Sequence, residues 1–321
     1  MLKRLPLAHL AVITNRGSNR NLRGDNWVDP ILKDETEVSH FEIDGPESVG
    51  ALLERCAEVG AETIVVNGGD GTAGLVFAAL LNGKAYSRLP ALALLPAGKT
   101  NMTTSEWSLT GSPEGALKAL LRERRAGTLA DHIVTRPVLT LARGNGEAPL
   151  YGAFFGAADI VEGIRLCRRH IYPLKMPNAM SHVAAIALLL WRGLTADVTR
   201  GGVTVHEDEK IVERGNFFIV LVTALDEMLL GLRPVPGHAS ENSTLNYVSL
   251  RMGASTILAA IPGILRRLIK PGRGRTVERL ERITLRFTGT YTLDGELYET
   301  TEERPLTLDG HRKLNFIWIP A

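Results

Sequence analysis

The 321-residue chain is short of cysteine, with only Cys56 and Cys167, which lie far apart in the sequence. Two isolated cysteines give neither the spacing of a zinc site nor a disulfide framework, so we expect a reduced, cytoplasmic protein. A long hydrophobic run is also missing. The longest, VAAIALLLW at 183–191, has nine residues, whereas a helix that spans a bilayer needs about 20. We therefore expect no transmembrane helix, and we interpret Leu10 to Thr14, at the end of the basic and apolar N-terminus, as a first β-strand.

The chain also lacks a charge excess, since its formal net charge is only +2. No global positive field points to nucleic acid as a partner. The hydrophobic and charged fractions, 45% and 22%, are those of an ordinary globular protein. The length suits one large domain or two of ordinary size.

The first ~135 residues alternate between strand and helix patterns, with helical spacing clearest at Leu52, Leu53, Cys56 and Val59. The predicted strands are 9–14, 38–43, 63–67 and 91–98, and the predicted helices are 46–60, 73–83 and 112–127. This alternation predicts an α/β domain with a parallel sheet and helices on both faces. After Asp131 the pattern changes to strand-like segments separated by turn residues, which predicts a β-rich second domain and a boundary near 130–136.

The sequence VVNGGDGTAG at 65–74 places three glycines and an aspartate directly after a predicted strand. Glycines there permit positive φ and let backbone N–H groups approach a ligand, so Gly68, Gly69, Gly71 and Thr72 suit a polyphosphate at the start of a helix. Asp70 would repel a phosphate unless it served a metal ion or accepted a proton. The alternative is a glycine turn that only connects strand and helix.

Two further polar loops follow predicted strands. Residues 14–21 carry Asn15, Arg16 and Ser18, and residues 95–101 carry Lys99, Thr100 and Asn101. In a parallel sheet all three loops lie at the carboxyl edge, where ligands bind. Lys99 can meet a phosphate as a point charge. Any one of these loops could be polar simply because it is exposed, whereas three at one edge favour a binding site.

With GGDGT at 68–72, PAGKTNM at 96–102 and YTLDGELYE at 291–299, the chain resembles the diacylglycerol kinase catalytic domain family. Sequences of that family carry G-G-D-G-T, a P-x-G-T-x-N-D loop and a D-G-E turn. The resemblance implies an ATP-dependent lipid kinase with its site in a cleft between two domains. A Rossmann-like nucleotide domain would occupy 1–133 and a β-sandwich-like lipid domain 134–310, with 311–321 as a last strand that returns to the first domain.

The resemblance also implies roles for particular residues. Nucleotide phosphates would be held by Asn15, Arg16, Ser18, Gly68, Gly69, Gly71, Thr72, Lys99, Thr100 and Asn101. Asp70 and Glu296 would be the carboxylates near the reacting hydroxyl and Mg²⁺, with Asp70 as the metal ligand. From its residues alone, LDGEL is only a hairpin in which Asp294 occupies the turn.

The chain departs from the family pattern at three places. Lys99 stands where the family has threonine, Met102 stands where it has aspartate, and ENSTLNY at 241–247 replaces an acidic stretch that serves a metal site. These changes favour ceramide as acceptor, with diacylglycerol as the alternative. An NAD kinase and an inactive lipid-binding regulatory protein are further alternatives. The sequence lacks the Gly/Thr-rich loop and Asn-Glu pair that we expect of NAD kinases.

Two basic and apolar segments, 164–175 and 261–275, lie in the half that the resemblance assigns to lipid. Arg266, Arg267 and Lys270 in the second segment accompany apolar residues on one predicted helical face. Such segments suit an anionic membrane surface, and we expect peripheral association with the inner face of the membrane. The alternative is that they are solvated basic helices packed on the core.

Overall fold

The computed structural model describes residues 9–171, 178–195, 202–207, 210–235 and 243–320. The chain divides into two compact units. The first runs to Pro137 and takes in the chain's last residues from Lys313 onward, and the second is Val138–Arg312. The sequence places the boundary at 133, but the strand that follows, Ile133–Pro137, still pairs within the first unit.

The first unit alternates strands and helices. Its elements are β1 (Leu10–Asn15), α1 (Val28–Leu32), β2 (Val38–Ile43), α2 (Val49–Glu58), β3 (Thr63–Gly68), α3 (Asp70–Asn82), β4 (Ala91–Pro96), α4 (Met102–Trp107), α5 (Pro113–Ala126), β5 (Ile133–Pro137) and a C-terminal strand (Lys313–Ile317).

These strands form one six-stranded sheet in the order β2-β1-β3-β4-C-terminal strand-β5. All neighbours are parallel except β5, which runs antiparallel to the C-terminal strand. The first five residues of both β1 and β4 and all of β3 are buried, as expected for a parallel sheet covered on both faces. Phe316 brings the C-terminal strand into the core, where its ring packs on Phe77 of α3 and Trp107 of α4.

The predicted α/β alternation is confirmed, with two differences. The helix after the glycines was predicted from residue 73 but begins at Asp70, with Gly69 as its N-cap. The GGDGT sequence therefore spans the end of β3, the N-cap and the first turn of α3. Helices α1 and α4 were not predicted because each is too short to show a 3.6-residue period.

The second unit is β-rich, as predicted. Its strands are β6 (Leu139–Arg143), β7 (Leu150–Gly152), β8 (Phe154–Ala158), β9 (Val203–Glu207), β10 (Lys210–Gly215), β11 (Phe217–Thr223), β12 (Leu245–Arg251), β13 (Arg275–Leu280), β14 (Arg282–Arg286), β15 (Gly289–Leu293), β16 (Glu296–Thr300) and β17 (Leu306–Asp309). Its helices are α6 (Asp159–Leu166), which continues as a π-helical turn (Cys167–Ile171), α7 (Asn178–Thr195) and α8 (Ala254–Leu265).

These strands form two six-stranded antiparallel sheets, ordered β10-β9-β14-β17-β6-β7 and β13-β12-β11-β8-β15-β16. The predicted D-G-E hairpin joins β15 to β16. Both of its central residues, Asp294 (φ 49°) and Gly295 (φ 90°), have the positive φ of a type I′ turn. Of ENSTLNY, residues 241–242 lie outside the described residues, and Leu245–Tyr247 begins β12.

Candidate functional site

Three polar segments follow β1, β3 and β4 at the carboxyl edge of the first sheet. We call them loop A (14–21), loop B (67–72) and loop C (96–103). Because parallel strands all point the same way, their carboxyl ends meet at this one edge. Together the loops contain every residue of the first unit that the sequence analysis selected for nucleotide binding.

Loops A and B are joined by side-chain amides. The Asn15 side chain donates to Thr72 Oγ1 at 2.8 Å. The Asn21 side chain donates to the carbonyls of Asn15 (2.8 Å) and Asn67 (3.3 Å), and its own oxygen accepts from the Trp27 indole. Asn21 and Asn67 are buried, so these bonds fix the spacing of the two loops away from water.

Loops B and C are joined by Asp70. Its carboxylate is buried and accepts hydrogen bonds from the backbone N–H groups of Met102 (3.2 Å) and Thr103 (3.0 Å), in the first turn of α4. Burial raises the pKa of Asp70 above its ordinary value, although these hydrogen bonds oppose the rise. The predicted catalytic carboxylate therefore also anchors the neighbouring loop.

The glycines at this edge permit close packing of the loops. None of Gly68, Gly69, Gly71 and Gly98 has positive φ, so the left-handed backbone that glycine permits is not used at these positions. A Cβ on Gly68 would lie 2.5 Å from the Thr72 side chain, and one on Gly98 would lie 2.7 Å from the Gly69 Cα. Glycine is required because two backbones and a threonine side chain occupy the space that a Cβ would take.

Loop A is also held against loop C and α5 by Arg20. Its backbone N–H donates to the Ala97 carbonyl at 2.9 Å. Its guanidinium pairs with Glu114 of α5 and with Asp25 (2.8 Å) and lies over the Trp27 ring. Sequence reasoning did not select Arg20, because its partner Glu114 is 94 residues away and no local pattern marks the pair.

The N-terminus of α3 opens among these loops. No side chain of the described residues caps it, and Gly69 brings no Cβ to the first turn. The first N–H groups of a helix have no partner within the helix, and the helix dipole favours an anion there. Beside it, Oδ1 of the buried Asn67 has no hydrogen-bond partner among the described residues. The uncapped helix start suits a nucleotide phosphate group, while the Asn67 oxygen can accept only from a donor such as a hydroxyl group.

The structure gives the other predicted residues unequal roles. Asn101, in the left-handed region at φ 52°, uses its amide within loop C: it accepts from the Gly98 N–H (2.8 Å) and donates to the carbonyls of Gly98 and Pro96. Arg16 is exposed and pairs with Glu42 at 2.7 Å. Ser18 is buried, with its backbone N–H on the Asn15 carbonyl, while Thr100 is half-buried.

Lys99 of loop C is half-buried, and desolvation lowers the pKa of its amine from the usual value. A bound phosphate would favour the charged amine and oppose that shift.

A polar pocket of about 120 Å³ adjoins loop A in the same unit. It is lined by Thr14, Arg16, Asn21, Gly24, Asp25, Asn26, Trp27, Val28, His40 and Glu42. On its wall the Thr14 hydroxyl contacts His40 Nε2 (2.9 Å), and His40 Nδ1 contacts the Asp29 carboxylate (2.6 Å). The pocket offers both donors and acceptors next to the anion site.

The second predicted carboxylate, Glu296, belongs to the other unit, at the start of β16. Its side chain is exposed and lies 3.7 Å from the Arg168 guanidinium, which also donates to the Gly295 carbonyl at 2.7 Å. Asp294 in the same turn accepts from the backbone N–H groups of Ala153 and Phe154. Asp294 is therefore the turn residue, as predicted, and its carboxylate is used in hydrogen bonds within the unit. Glu296 is the exposed carboxylate of this hairpin.

Within the described ranges, no group of three or more histidine, cysteine, aspartate or glutamate side chains could hold a metal ion. Magnesium usually binds through one or two carboxylates plus substrate phosphates, without a protein cage. Asp70 is the carboxylate next to the anion site. The side chains present thus fit Mg²⁺ that arrives with a nucleotide.

Comparison with known proteins identifies a family that this edge resembles. Residues 9–130 match the model of the diacylglycerol kinase catalytic domain. The match lies within the first unit and does not extend to the second. The chain is accordingly a kinase, as the GGDGT and PAGKTNM loops predicted. No curated protein matches the chain.

Solved structures show the same fold over nearly the whole chain. A candidate diacylglycerol kinase from Bacillus anthracis str. Sterne is 17% identical with a TM-score of 0.65, over 97% of this chain and 96% of its own. A diacylglycerol kinase from the same organism is 14% identical with a TM-score of 0.63, over 97% of each chain. An NAD kinase from Archaeoglobus fulgidus in complex with ATP is 12% identical with a TM-score of 0.50, over 96% and 93%.

Proposed function

We propose that this protein is an ATP-dependent lipid kinase that phosphorylates a primary hydroxyl of a membrane lipid, with ceramide as the preferred acceptor. The observation that carries the proposal is the uncapped N-terminus of α3, set among three mutually anchored loops in a region that matches the diacylglycerol kinase catalytic domain model. Phosphoryl transfer depends on positioning and on charge neutralisation more than on covalent chemistry. A rigid anion site with a nearby cation and carboxylate meets both needs.

The residues of the first unit would bind the nucleotide. Backbone N–H groups of the first turn of α3 and the Thr72 hydroxyl would hold phosphate oxygens, and the Lys99 amine would offset their charge. The polar pocket beside loop A would take the nucleoside end. When bound, ATP supplies the phosphoryl group and Mg²⁺ offsets charge on its oxygens, with Asp70 as the carboxylate beside it.

The acceptor hydroxyl must lose a proton as it attacks. Glu296 is the proposed proton acceptor, because it is exposed in a tight turn and a guanidinium lies beside it. A positioned carboxylate contributes about 10²–10⁴-fold to such a step. Asp70, whose oxygens already accept two N–H hydrogen bonds, would instead lie beside the Mg²⁺ that accompanies the ATP phosphates.

The choice of acceptor rests on Lys99 and Met102, which change the polarity of loop C relative to the family pattern. Ceramide carries an amide N–H where a diacylglycerol ester carries only acceptors. A site built to pair that donor rejects the analogue without it. The fold fits a diacylglycerol kinase equally well, so the acceptor has to be measured directly.

The test is a competition with labelled ATP and Mg²⁺, in which ceramide and diacylglycerol share the same micelles and NAD is assayed separately. We expect ceramide phosphate to dominate. Dominant diacylglycerol phosphate would overturn the acceptor assignment but not the lipid kinase, whereas labelling of NAD alone would overturn both. Absence of every product with a folded protein would favour the inactive regulatory alternative.

The site residues are tested by Asp70→Asn and Glu296→Gln, which keep shape and remove charge. Both should lower turnover at least a hundredfold without preventing folding. Glu35→Gln is the control, because Glu35 is also a buried carboxylate of the first unit but pairs with Arg124 of α5 and not with the loops. It should lose stability yet keep turnover per folded molecule. Near-normal turnover of folded Asp70→Asn would remove Asp70 from the site.

A further inference from the structure

Helix α7 of the second unit exposes one apolar face. Trp191 is 66% exposed and Val183 56%, and Leu194 and Ala187 are also exposed. Their spacing of i, i+4, i+8 and i+11 places all four within about a quarter turn of one helix face. An exposed tryptophan in line with aliphatic side chains is uncommon on a surface that meets only water.

Helix α8 exposes a second apolar face with the same spacing. Leu258 is 53% exposed and Leu265 77%, and Ala254 and Pro262 complete the i, i+4, i+8, i+11 series. The two helices pack against each other, with Gly193 of α7 lying against Ile257 of α8. The two faces therefore belong to neighbouring helices. We call them together the α7–α8 surface.

Cations continue this surface at the C-terminal end of α8. Arg266, Lys270 and Arg273 are all exposed. Neither 183–195 nor 254–275 contains an aspartate or glutamate. Apolar side chains with a tryptophan, next to cations and with no acid in the same two segments, match the interface of an anionic bilayer. Glu227, near Arg267, pairs with Arg233.

The other basic segment, 164–175, differs in its contacts. Arg165 pairs with Glu162 at 2.7 Å and donates to Thr290, and Arg168 donates to the Gly295 carbonyl. Residues 172–177 lie outside the described residues. Arg165 and Arg168 are thus engaged within the unit, so of the two segments that the sequence suggested, 261–275 is the better candidate for a membrane contact.

We propose that the α7–α8 surface inserts its apolar side chains into the interface of an anionic bilayer, with Trp191 at headgroup depth and Arg266, Lys270 and Arg273 on the lipid phosphates. The proposal rests on the proposed function in one respect, since a membrane lipid as acceptor supplies the reason for docking. The docking itself can be measured without catalysis. Apolar insertion and charge attraction both contribute to the free energy of membrane binding, so each contribution can be removed by its own substitutions.

The experiment is flotation of the full chain with phosphatidylcholine vesicles, with and without phosphatidylglycerol. We expect binding to the anionic vesicles that weakens with salt. Arg266→Gln, Lys270→Gln and Arg273→Gln together should weaken it about 100-fold, at roughly one factor of five per cation. Leu258→Ala with Leu265→Ala should weaken it at least tenfold, including at high salt.

Matched controls come from exposed residues of the same unit outside this surface. Ile211→Ala on β10 and Arg286→Gln on β14 should leave vesicle binding unchanged. Tryptophan emission should shift to the blue on binding, and Trp191→Phe should abolish most of that shift, since Trp27 and Trp107 are already buried and the 40% exposed Trp318 belongs to the first unit, outside this surface. Equal binding of all variants, or equal binding to neutral and anionic vesicles, would overturn the proposal.

Two further outcomes separate the alternatives. If the wild type is a dimer without vesicles and the Leu258/Leu265 variant is a monomer, the surface is a contact between copies and the proposal fails. If the cation variant loses activity equally on a short-chain, micelle-free acceptor, the residues are structural and the proposal also fails. Vesicle binding that follows these predictions in a protein without lipid kinase activity would support docking and refute the proposed function alone.

Discussion

Gly98→Ala tests whether backbone contact between loops B and C sets the geometry of the anion site. The new Cβ would lie 2.7 Å from the Gly69 Cα and 2.8 Å from Asn101 Oδ1. Neither neighbour can swing away freely, since one is backbone and the other is fixed by three hydrogen bonds within loop C. To reach ordinary contact at 3.4 Å, the loops would have to separate by about 0.7 Å.

The cost in stability follows from two opposing effects. Overpacking of this kind costs about 1–3 kcal/mol. Alanine also restricts the unfolded chain, which returns about 0.4–1 kcal/mol. We expect a net loss of about 1–2 kcal/mol in the free energy of unfolding, measured by urea titration with an unchanged m-value.

The cost in activity should be larger. Loop C carries Lys99 and runs into the first turn of α4, which Asp70 holds by accepting hydrogen bonds from the backbone N–H groups of Met102 and Thr103. A displacement of about 1 Å at a positioning element can cost about 100-fold in rate. We expect kcat/KM for ATP to fall at least tenfold, measured by product formation at limiting ATP.

Gly50→Ala is the matched control for this experiment. Gly50 lies in α2, has no positive φ, and has nothing within 4 Å of its Cβ position. Alanine there should raise stability by about 0.5–1 kcal/mol and leave kcat/KM unchanged. If Gly98→Ala behaves like Gly50→Ala in both measurements, close packing is not the reason for the glycine.

The remaining predictions concern three charged residues. Burial raises the pKa of Asp70, so its contribution to stability is present below the unfolded pKa and is lost as pH rises through the folded pKa. In urea titrations, the stability advantage of wild type over Asp70→Asn should therefore shrink with rising pH. An advantage that grows with pH would contradict this. Arg168→Gln should lower kcat several-fold and leave KM for ATP unchanged, and Arg168→Lys should restore part of the lost kcat. If both variants lose thermal stability in parallel with kcat, the role of Arg168 is structural instead. Arg20→Gln should raise KM for ATP and lower the free energy of unfolding by about 1–3 kcal/mol, because Glu114 and Asp25 lose their partner. An unchanged KM would mean that loop A does not contribute to nucleotide binding.

Much of the fold follows from the sequence because the signals are local. The runs of apolar residues in β1, β3 and β4 and the helical period of α2 and α5 each lie within about 15 residues. The Asp294-Gly295 hairpin is equally local, since the turn type selects those two residues. The polar loops at the carboxyl edge then follow from the rule that parallel strands align.

The contacts that shape the site could not be predicted, because they join distant parts of the chain. Asp70 bonds to backbone 32 and 33 residues away, and Arg20 pairs with a glutamate 94 residues away. The need for glycine at Gly98 depends on a loop from another strand. The sequence shows which residue types are present, but these distances depend on strand order and register.

The contact between Asp70 and loop C bears on the alternative of an inactive protein. Met102 stands where the resembling family has aspartate, which by itself suggests a damaged loop. In the structure Met102 supplies only its backbone N–H to Asp70, and Thr103 supplies a second. Any residue except proline has that N–H group, so the loss of the family's side chain leaves the anchor between the loops intact. We therefore expect the departure to alter the surface that loop C presents to a ligand while leaving the anchor between the loops in place.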